Sequence, residues 1–392
     1  MMPKKSFGRR LVGNNAFQTI VASVLCVIIG LVIGYVVLLC INPDGAFKAV
    51  TDMLKNFMTY SRSTLRIKNL GTTLVTTVPL ILCSLSILFC YKAGLFNIGV
   101  AGQYVIGAGV ALYSALAWGL PWYACILLAI VAGAVLGTVS GLLKAYCNVN
   151  EVISGIMLNW ISLYCVNMLL TNVKEPTSPY TKSIIGVNRS AIIPSLGLDK
   201  LFNGNQYVTI AIPMAVIIAI VIWIILDKTK FGYELKATGY NRHAAKYCGM
   251  AEKRNIVVTL IIGGALAGFG AALYYLTGIM QWSCSESSVP AMGFNGIAAA
   301  FLGGLNPIGS VFSSYFIQHI TSGGAYIDKM VYSSQISDLI SAIIIYLCGF
   351  VFFAKTALNR WLMTKDAASA RKAETAKQVA ASSETEKGGD AE

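Results

Sequence analysis

Two short segments of the sequence combine phenylalanine, asparagine and glycine inside long apolar runs. The first, GLFNIGVAG, covers Gly94 to Gly102, and the second, GFNGIAAAFLGG, covers Gly293 to Gly304. An amide side chain donates and accepts hydrogen bonds, so it is costly in an apolar environment unless it has a partner. In a membrane-spanning run such groups line a path or hold helices together. Because both halves of the chain carry the segment, we expect a transporter built from two related halves.

The candidate path residues are all neutral. They are Phe96, Asn97, Gln103, Asn159, Phe294 and Asn295. The amides could contact a hydrogen-bonding solute or could bond to a neighbouring helix, and the phenylalanines could stack on a flat ring or simply pack. Ion-coupled carriers place ionisable side chains at depth, whereas Glu151 and Asp338 lie at span ends. This composition favours a neutral solute, with energy for uphill transport supplied by another subunit.

The composition identifies a membrane protein. Of 392 residues, 56% are hydrophobic and 12% are charged, against about 25% charged in soluble domains. The net charge of +13 comes mainly from connections between apolar runs, which argues against nucleic acid as the partner. Two histidines and scattered cysteines make a metal site improbable. Without a P-loop, HExxH or GxSxG motif, we expect neither an enzyme nor a cofactor in this chain.

Apolar runs long enough to cross a bilayer set out the organisation. They lie at Phe17–Cys40, Leu70–Tyr91, Leu95–Leu116, Trp122–Tyr146, Val152–Leu170, Tyr207–Leu226, Ile256–Leu276 and Ile336–Phe353. Gly293 to Ile320 could be two short spans that turn at Leu305-Asn306-Pro307, or one re-entrant pair. We therefore predict an all-α, polytopic transmembrane bundle of eight to ten spans.

The connections predict the orientation. Residues 1–15 form a basic cytoplasmic N-terminus, 16–357 the permease-like transmembrane domain, and 358–392 a disordered cytoplasmic tail. Both termini are then cytoplasmic. The Phe96-Asn97 pair would start an outward-running helix and Phe294-Asn295 an inward-running one, so the two halves would form an inverted internal repeat.

The predicted external segment, residues 41–69, carries lysine and arginine against the positive-inside rule. Within it, Ala46 to Tyr60 could form an amphipathic helix on the outer face. A second external loop is expected at residues 172–205.

The most basic connection, residues 228–254, is expected in the cytoplasm. Within it, YELKATGYNRHAAKYCGM (Tyr233 to Met250) mixes small and charged residues. A short amphipathic helix followed by a glycine break would suit docking into a groove on a cytoplasmic partner. The alternative is a plain positive-inside anchor.

Four segments together resemble a known family. They are GLFNIGVAGQ (94–103), NEVISGIMLNW (150–160), FGYELKATGYNRHAAKYCGM (231–250) and GFNGIAAAFLGGLNPIG (293–309). They look like the permease subunits of bacterial ABC importers of the nucleoside type, relatives of the ribose and branched-chain amino acid permeases. The likeness covers about residues 70 to 355, and the Asn-Glu-Val-Ile and Ile-Met-Leu-Asn sequences favour the nucleoside branch.

The resemblance implies an importer with two permeases, identical or homologous, and two cytoplasmic ATPase subunits that bind ATP and magnesium. An extracytoplasmic solute-binding lipoprotein would deliver the solute. The ATPase-coupling residues would be Glu234, Lys236, Gly239, Asn241, Ala244, Ala245 and Gly249. Two positions depart from the family: Ala101 and Asn295 stand where acidic residues are usual. The alternatives are a stand-alone facilitator or secondary carrier, or import of a sugar such as ribose.

Overall fold

A computed structural model describes most of the chain. The described residues are 15–173, 180–328, 331–332, 339–340, 342–344, 346–347, 349–351, 353–357 and 360. The predictions for the N-terminus up to residue 14 and for the tail beyond residue 360 lie outside them. The predicted last span, Ile336–Phe353, is described in part, and its described residues are mainly helical.

The described residues are mainly helical and contain almost no strand, which confirms the all-α prediction. The helices are α1 (Asn15–Ile41), α2 (Pro43–Lys55), α3 (Ser63–Lys92), α4 (Val100–Leu116), α5 (Trp122–Tyr146), α6 (Glu151–Thr171), α7 (Leu198–Leu201), α8 (Ala211–Lys228), α9 (Lys230–Tyr240), α10 (Arg242–Tyr247), α11 (Glu252–Tyr275), α12 (Met292–Leu302) and α13 (Pro307–Gly323). A two-residue strand β1 (Thr181–Lys182) pairs antiparallel with β2 (Trp282–Ser283).

Among the described residues, six helices are long and apolar enough to cross a membrane: α1, α3, α5, α6, α8 and α11. Helices α4 and α12 are shorter and apolar. The prediction of a multi-span helical bundle is therefore confirmed. The inverted repeat and the cytoplasmic position of both termini stay predictions.

The largest differences from the predicted boundaries lie at the starts of α3 and α4. Helix α3 begins at Ser63, well before Leu70, because its polar first turns continue beyond the apolar run. Helix α4 begins at Val100 and not at Leu95, since a glycine-containing turn precedes it. In the ambiguous stretch after Gly293, two helices meet near the expected turn, where Leu305 has a φ of +53°. Helix α12 has 11 residues, about 16 Å, roughly half the apolar thickness of a bilayer.

Helices α3 and α11 form the centre of the bundle. Their most apolar stretches are 89% and 72% buried, whereas those of the other four long helices are 28–33% buried. Small residues allow α5 and α11 to touch along their backbones: a Cβ atom at Gly133 would collide with the Gly264 carbonyl, and one at Gly268 with the Ala129 carbonyl. This close approach is typical of helix pairs in membranes.

Candidate functional site

The first Phe-Asn pair lies in a non-helical connection, residues 93–99, between α3 and α4. The N–H of Leu95 donates to the Cys90 carbonyl, and the N–H of Gly94 to the Tyr91 carbonyl. These two backbone hydrogen bonds form a Schellman motif, which ends α3. Gly94 supplies the left-handed backbone that the motif requires, with a φ of +74°. Phe96 and Asn97 therefore precede the helix that they were predicted to start.

Asn97 and Gln103 form one buried amide pair. The Asn97 Nδ2 donates to Gln103 Oε1 at 2.9 Å and to Ser86 Oγ at 3.4 Å. Both side chains are buried. Gly263 of α11 makes room for this pair, because a Cβ atom there would lie 3.2 Å from Asn97 Nδ2. The pair therefore fixes the connection against the two central helices.

Asn159 of α6 holds the start of α4. Its Oδ1 accepts from the N–H of Gly102 at 2.7 Å, and its Nδ2 donates to the Ile98 carbonyl at 3.1 Å. Gly102 is the third residue of α4, and the residue that caps α4, Gly99, has no side chain. Asn159 thus caps α4 from a neighbouring helix: it satisfies one open N–H of α4 and one carbonyl of the connection before it.

The second Phe-Asn pair lies in the first turn of α12, so its local structure differs from that of the first pair. Phe294 is 38% exposed, and Asn295 is half-buried. None of the side-chain hydrogen bonds found among the described residues involves Asn295. The structure nevertheless brings the two segments together, because the rings of Phe96 and Phe301 lie 6.4 Å apart.

The starts of α4 and α12 touch at Ala101 and Gly293. A Cβ atom at Gly293 would lie 2.5 Å from the Ala101 Cα and 2.7 Å from its Cβ. Ala101 is buried. A longer acidic side chain at position 101 would overlap α12 in this arrangement, which gives a physical reason for the alanine.

The predicted coupling segment forms two short helices, α9 and α10, followed by Gly249, which has a φ of +79°. Gly239 packs against the end of α3: a Cβ atom there would lie 2.6 Å from the Lys92 carbonyl oxygen and 2.8 Å from the Gly94 nitrogen. The coupling segment therefore touches the turn that leads to Phe96 and Asn97.

The other predicted coupling residues are buried, ion-paired or exposed, depending on their position in the segment. Ala245 is buried, and Asn241 caps α10 by accepting from the Ala244 N–H at 3.0 Å. Glu234 and Lys236 lie in ion pairs with Arg254 (3.8 Å) and Asp227 (3.1 Å). These partly exposed pairs add little stability. Ala244 is exposed, so it is accessible to another protein.

A groove of about 550 Å³ opens beside α9. It is lined by Lys230, Tyr233, Glu234, Arg254 and residues 248–251. Sequence reasoning missed Tyr240 and Tyr247, which are 92% and 93% exposed. Tyrosine is enriched in protein interfaces, so two fully exposed tyrosines in a short charged segment are a signal that could have been used.

No cluster of three histidine, cysteine or acidic side chains suitable for a metal ion occurs in the part of the chain that the structure describes. Sequence reasoning also missed Ser86 and Gly263, which contact the Asn97 amide. Nothing in the sequence indicates these contacts, since they depend on how α3 and α11 pack.

Comparisons with known proteins agree with the resemblance seen in the sequence. A profile of the permease components of branched-chain amino acid transport systems matches residues 69–349. The guanosine ABC transporter permease protein NupP of Bacillus subtilis (strain 168) is 33% identical over 300 residues, which cover 75% of this chain and 83% of that protein.

Two other relatives cover more of the chain. The nucleoside ABC transporter permease protein NupB of Lactococcus lactis subsp. cremoris (strain MG1363) is 29% identical over 88% of this chain and 95% of its own length. The glucose ABC transporter permease protein TsgB13 of Haloferax volcanii is 26% identical over 85% and 88%. No solved structure matches the chain significantly.

Proposed function

The chain belongs to the family of branched-chain amino acid transport permease components, and we propose that it conducts nucleosides inward as the membrane subunit of an ABC importer. It is a multi-pass plasma membrane protein and a transport component, not an enzyme. Membership of this family implies association with an ATPase and a solute-binding component.

One observation carries the choice of solute. Relatives named for guanosine and nucleosides are 33% and 29% identical to this chain, and the relative named for glucose is 26% identical. The chemistry of the described helices supports this choice. Helices α4 and α12 contain no charged residue, and α6 contains only Glu151, at its first position. A neutral solute with several hydrogen-bonding groups suits such a lining.

The six path residues take two different roles in this proposal. Phe96, Phe294 and Asn295 are partly exposed, so they are free to contact the solute. Flat aromatic rings suit stacking on a nucleobase, and an amide suits its hydrogen-bonding edge. Asn97, Gln103 and Asn159 already bond within the chain and instead position the connection, residues 93–99.

Coupling would run through α9 and α10. The proposed contacts with the ATPase include the exposed Ala244, Tyr240 and Tyr247, while Gly239 and Ala245 seat the segment on the bundle. The ATPase subunits would bind ATP and magnesium. The proposed assembly also contains a second permease, identical or homologous, and an extracytoplasmic lipoprotein that delivers the solute.

Reconstitution of the complete importer tests the solute assignment. Proteoliposomes holding this chain with its ATPase, second permease and binding protein should take up labelled guanosine only when ATP is present. Excess unlabelled adenosine or uridine should compete, and glucose, ribose and leucine should not. Competition by a sugar or by leucine, with none by nucleosides, would contradict the assignment.

The alternative is a facilitator that works alone. Its prediction is specific: liposomes containing only this chain would equilibrate guanosine without ATP or partners. Our proposal predicts no guanosine flux above that of empty liposomes in this preparation.

A further inference from the structure

Helix α2 lies at one end of a membrane-spanning helix. A single residue, Asn42, separates α1 from α2, and its side chain caps α2 by accepting from the Asp44 N–H at 3.1 Å. The exposed residues of α1 include a continuous set of aliphatic side chains, as expected of a helix that faces lipid: Val24, Leu25, Ile28, Ile29, Val32, Ile33 and Val36. Because α2 follows immediately, it must lie at the membrane surface.

One face of α2 is fixed to the protein. Ala46, Ala49 and Met53 are buried, and a Cβ atom at Gly323 of α13 would collide with the Met53 carbonyl. The Tyr332 hydroxyl donates to the Asn42 carbonyl at 2.7 Å. The helix is therefore held in a defined orientation.

The opposite face of α2 is exposed and mixes apolar with cationic side chains. Phe47 is 75% exposed and Met58, just beyond the helix, is 54% exposed; Leu54 lies between them. Lys48 and Lys55 are exposed on the same face, since positions three, four and seven apart lie together on a helix. Large exposed apolar groups beside lysines are typical of helices that lie in the membrane interface.

The positive charge continues into the start of α3. Arg62, Arg66 and Lys68 are exposed, and Arg66 donates to the Tyr60 carbonyl at 2.5 Å. Among the described residues, none of these cations, nor Lys48 or Lys55, takes part in an ion pair. The acidic residues of α2, Asp44 and Asp52, are fewer than the cations around them. The described part of the chain therefore leaves this surface with an excess of positive charge that no acidic side chain pairs.

This surface lies far from the coupling segment. Helix α3 has 30 residues, about 45 Å, and joins α2 at one end to the contact with Gly239 at the other. If the coupling segment is cytoplasmic, the surface faces outward, where excess positive charge is unusual in short connections. Anionic lipid headgroups supply the charge that this surface lacks, and neighbouring acyl chains supply an apolar environment.

We propose that residues 43–68 form a binding surface for anionic phospholipids, such as phosphatidylglycerol, in the leaflet next to α2. Lys48, Lys55 and Arg62 bind headgroup phosphates, while Phe47 and Met58 insert beside the acyl chains. The proposal concerns lipid and not solute, so it does not depend on the proposed function.

Native mass spectrometry of the full-length chain in uncharged detergent tests the proposal. Phosphatidylglycerol and phosphatidylcholine are titrated separately, and the bound lipids are counted. Wild type should retain phosphatidylglycerol in preference to phosphatidylcholine, and added salt should weaken the preference. Each cation near an anionic surface contributes about fivefold in affinity, so K48Q/K55Q should weaken phosphatidylglycerol binding by about 30-fold.

The matched control is R189Q/K200Q, which removes two exposed cations from the segment between α6 and α8. It should bind phosphatidylglycerol as wild type does, and K48R/K55R should also retain binding. Size-exclusion profiles confirm that each variant is folded.

Three results would overturn the proposal. The first is equal retention of the two lipids by wild type, and the second is equal loss of phosphatidylglycerol in the control variant. The third is unchanged phosphatidylglycerol binding by K48Q/K55Q. If this variant also binds the solute-binding protein more weakly than wild type does, the surface is a protein docking site.

Discussion

The cap that Asn159 provides from α6 leads to a quantitative prediction. Asn159→Ala leaves the Gly102 N–H and the Ile98 carbonyl without their partner in a buried region. Each unsatisfied buried group costs about 1–3 kcal/mol. The two groups together would cost about 2–6 kcal/mol. We expect the free energy of unfolding to fall by about 2–3 kcal/mol, at the lower end of this range, because side-chain hydrogen bonds between membrane helices average only about 0.6 kcal/mol.

The matched control lies one turn further along the same helix. Ser162 is as buried as Asn159, but its Oγ has no hydrogen-bond partner among the described residues. Ser162→Ala therefore removes no hydrogen bond and should change stability by less than about 0.5 kcal/mol.

Thermal unfolding followed with a thiol-reactive dye measures the effect, because Cys83, Cys90 and Cys125 are buried in the folded chain. At roughly 2 °C per kcal/mol for a large domain, Asn159→Ala should lower the apparent melting temperature by about 4–6 °C. Equal melting temperatures for Asn159→Ala and Ser162→Ala would refute the reasoning, since the two backbone groups would then not depend on the amide.

Three further predictions concern close contacts. Gly239→Val should allow ATP hydrolysis without solute uptake, because the new side chain would displace α9 from the Lys92 carbonyl. Affinity for the binding protein should stay unchanged. If ATP hydrolysis remained coupled to uptake, residues 231–250 would be only an anchor. Gly264→Leu should abolish the yield of monodisperse protein. Gly141→Ala should reduce this yield only partly, because the new Cβ atom would lie 3.0 Å from its nearest neighbour. Equal yields of the two variants would contradict the packing of α5 on α11. Ala101→Glu should destabilise the chain through its overlap with α12, and a wild-type melting temperature would contradict this contact.

The sequence predicts the long helices well where their ends coincide with the ends of apolar runs. Trp122–Tyr146 agrees residue for residue with α5, because Pro121 precedes it and polar residues follow. The sequence also predicts a glycine break in the coupling segment. In the structure Gly249 follows α10 and has the left-handed backbone that favours glycine.

The sequence fails where a local turn interrupts an apolar run. In the hydropathy pattern Leu95 belongs to the apolar run that continues into α4. In the structure the Schellman motif at Gly94 ends α3, and α4 begins only at Val100. This motif becomes visible only with backbone hydrogen bonds.

At the candidate site, too, the sequence predicts some features and not others. Residue types correctly indicated amides near helix starts, yet they could not distinguish contact from positioning. Asn159 bonds twice within the chain, whereas Asn295 is half-buried and makes no side-chain hydrogen bond found among the described residues. The difference arises because Asn159 lies opposite the backbone of another segment. The residues next to each asparagine in the sequence do not indicate such a tertiary contact.

Solute uptake by the reconstituted importer carrying Asn295→Leu tests the central claim most directly. The substitution removes an amide that bonds nowhere in the described chain, so folding and basal ATP hydrolysis should be retained. We predict that labelled guanosine uptake falls at least tenfold, as it should for Asn97→Leu, which disrupts the buried amide pair. Uptake at the wild-type rate by folded Asn295→Leu would contradict a solute path lined by neutral amides.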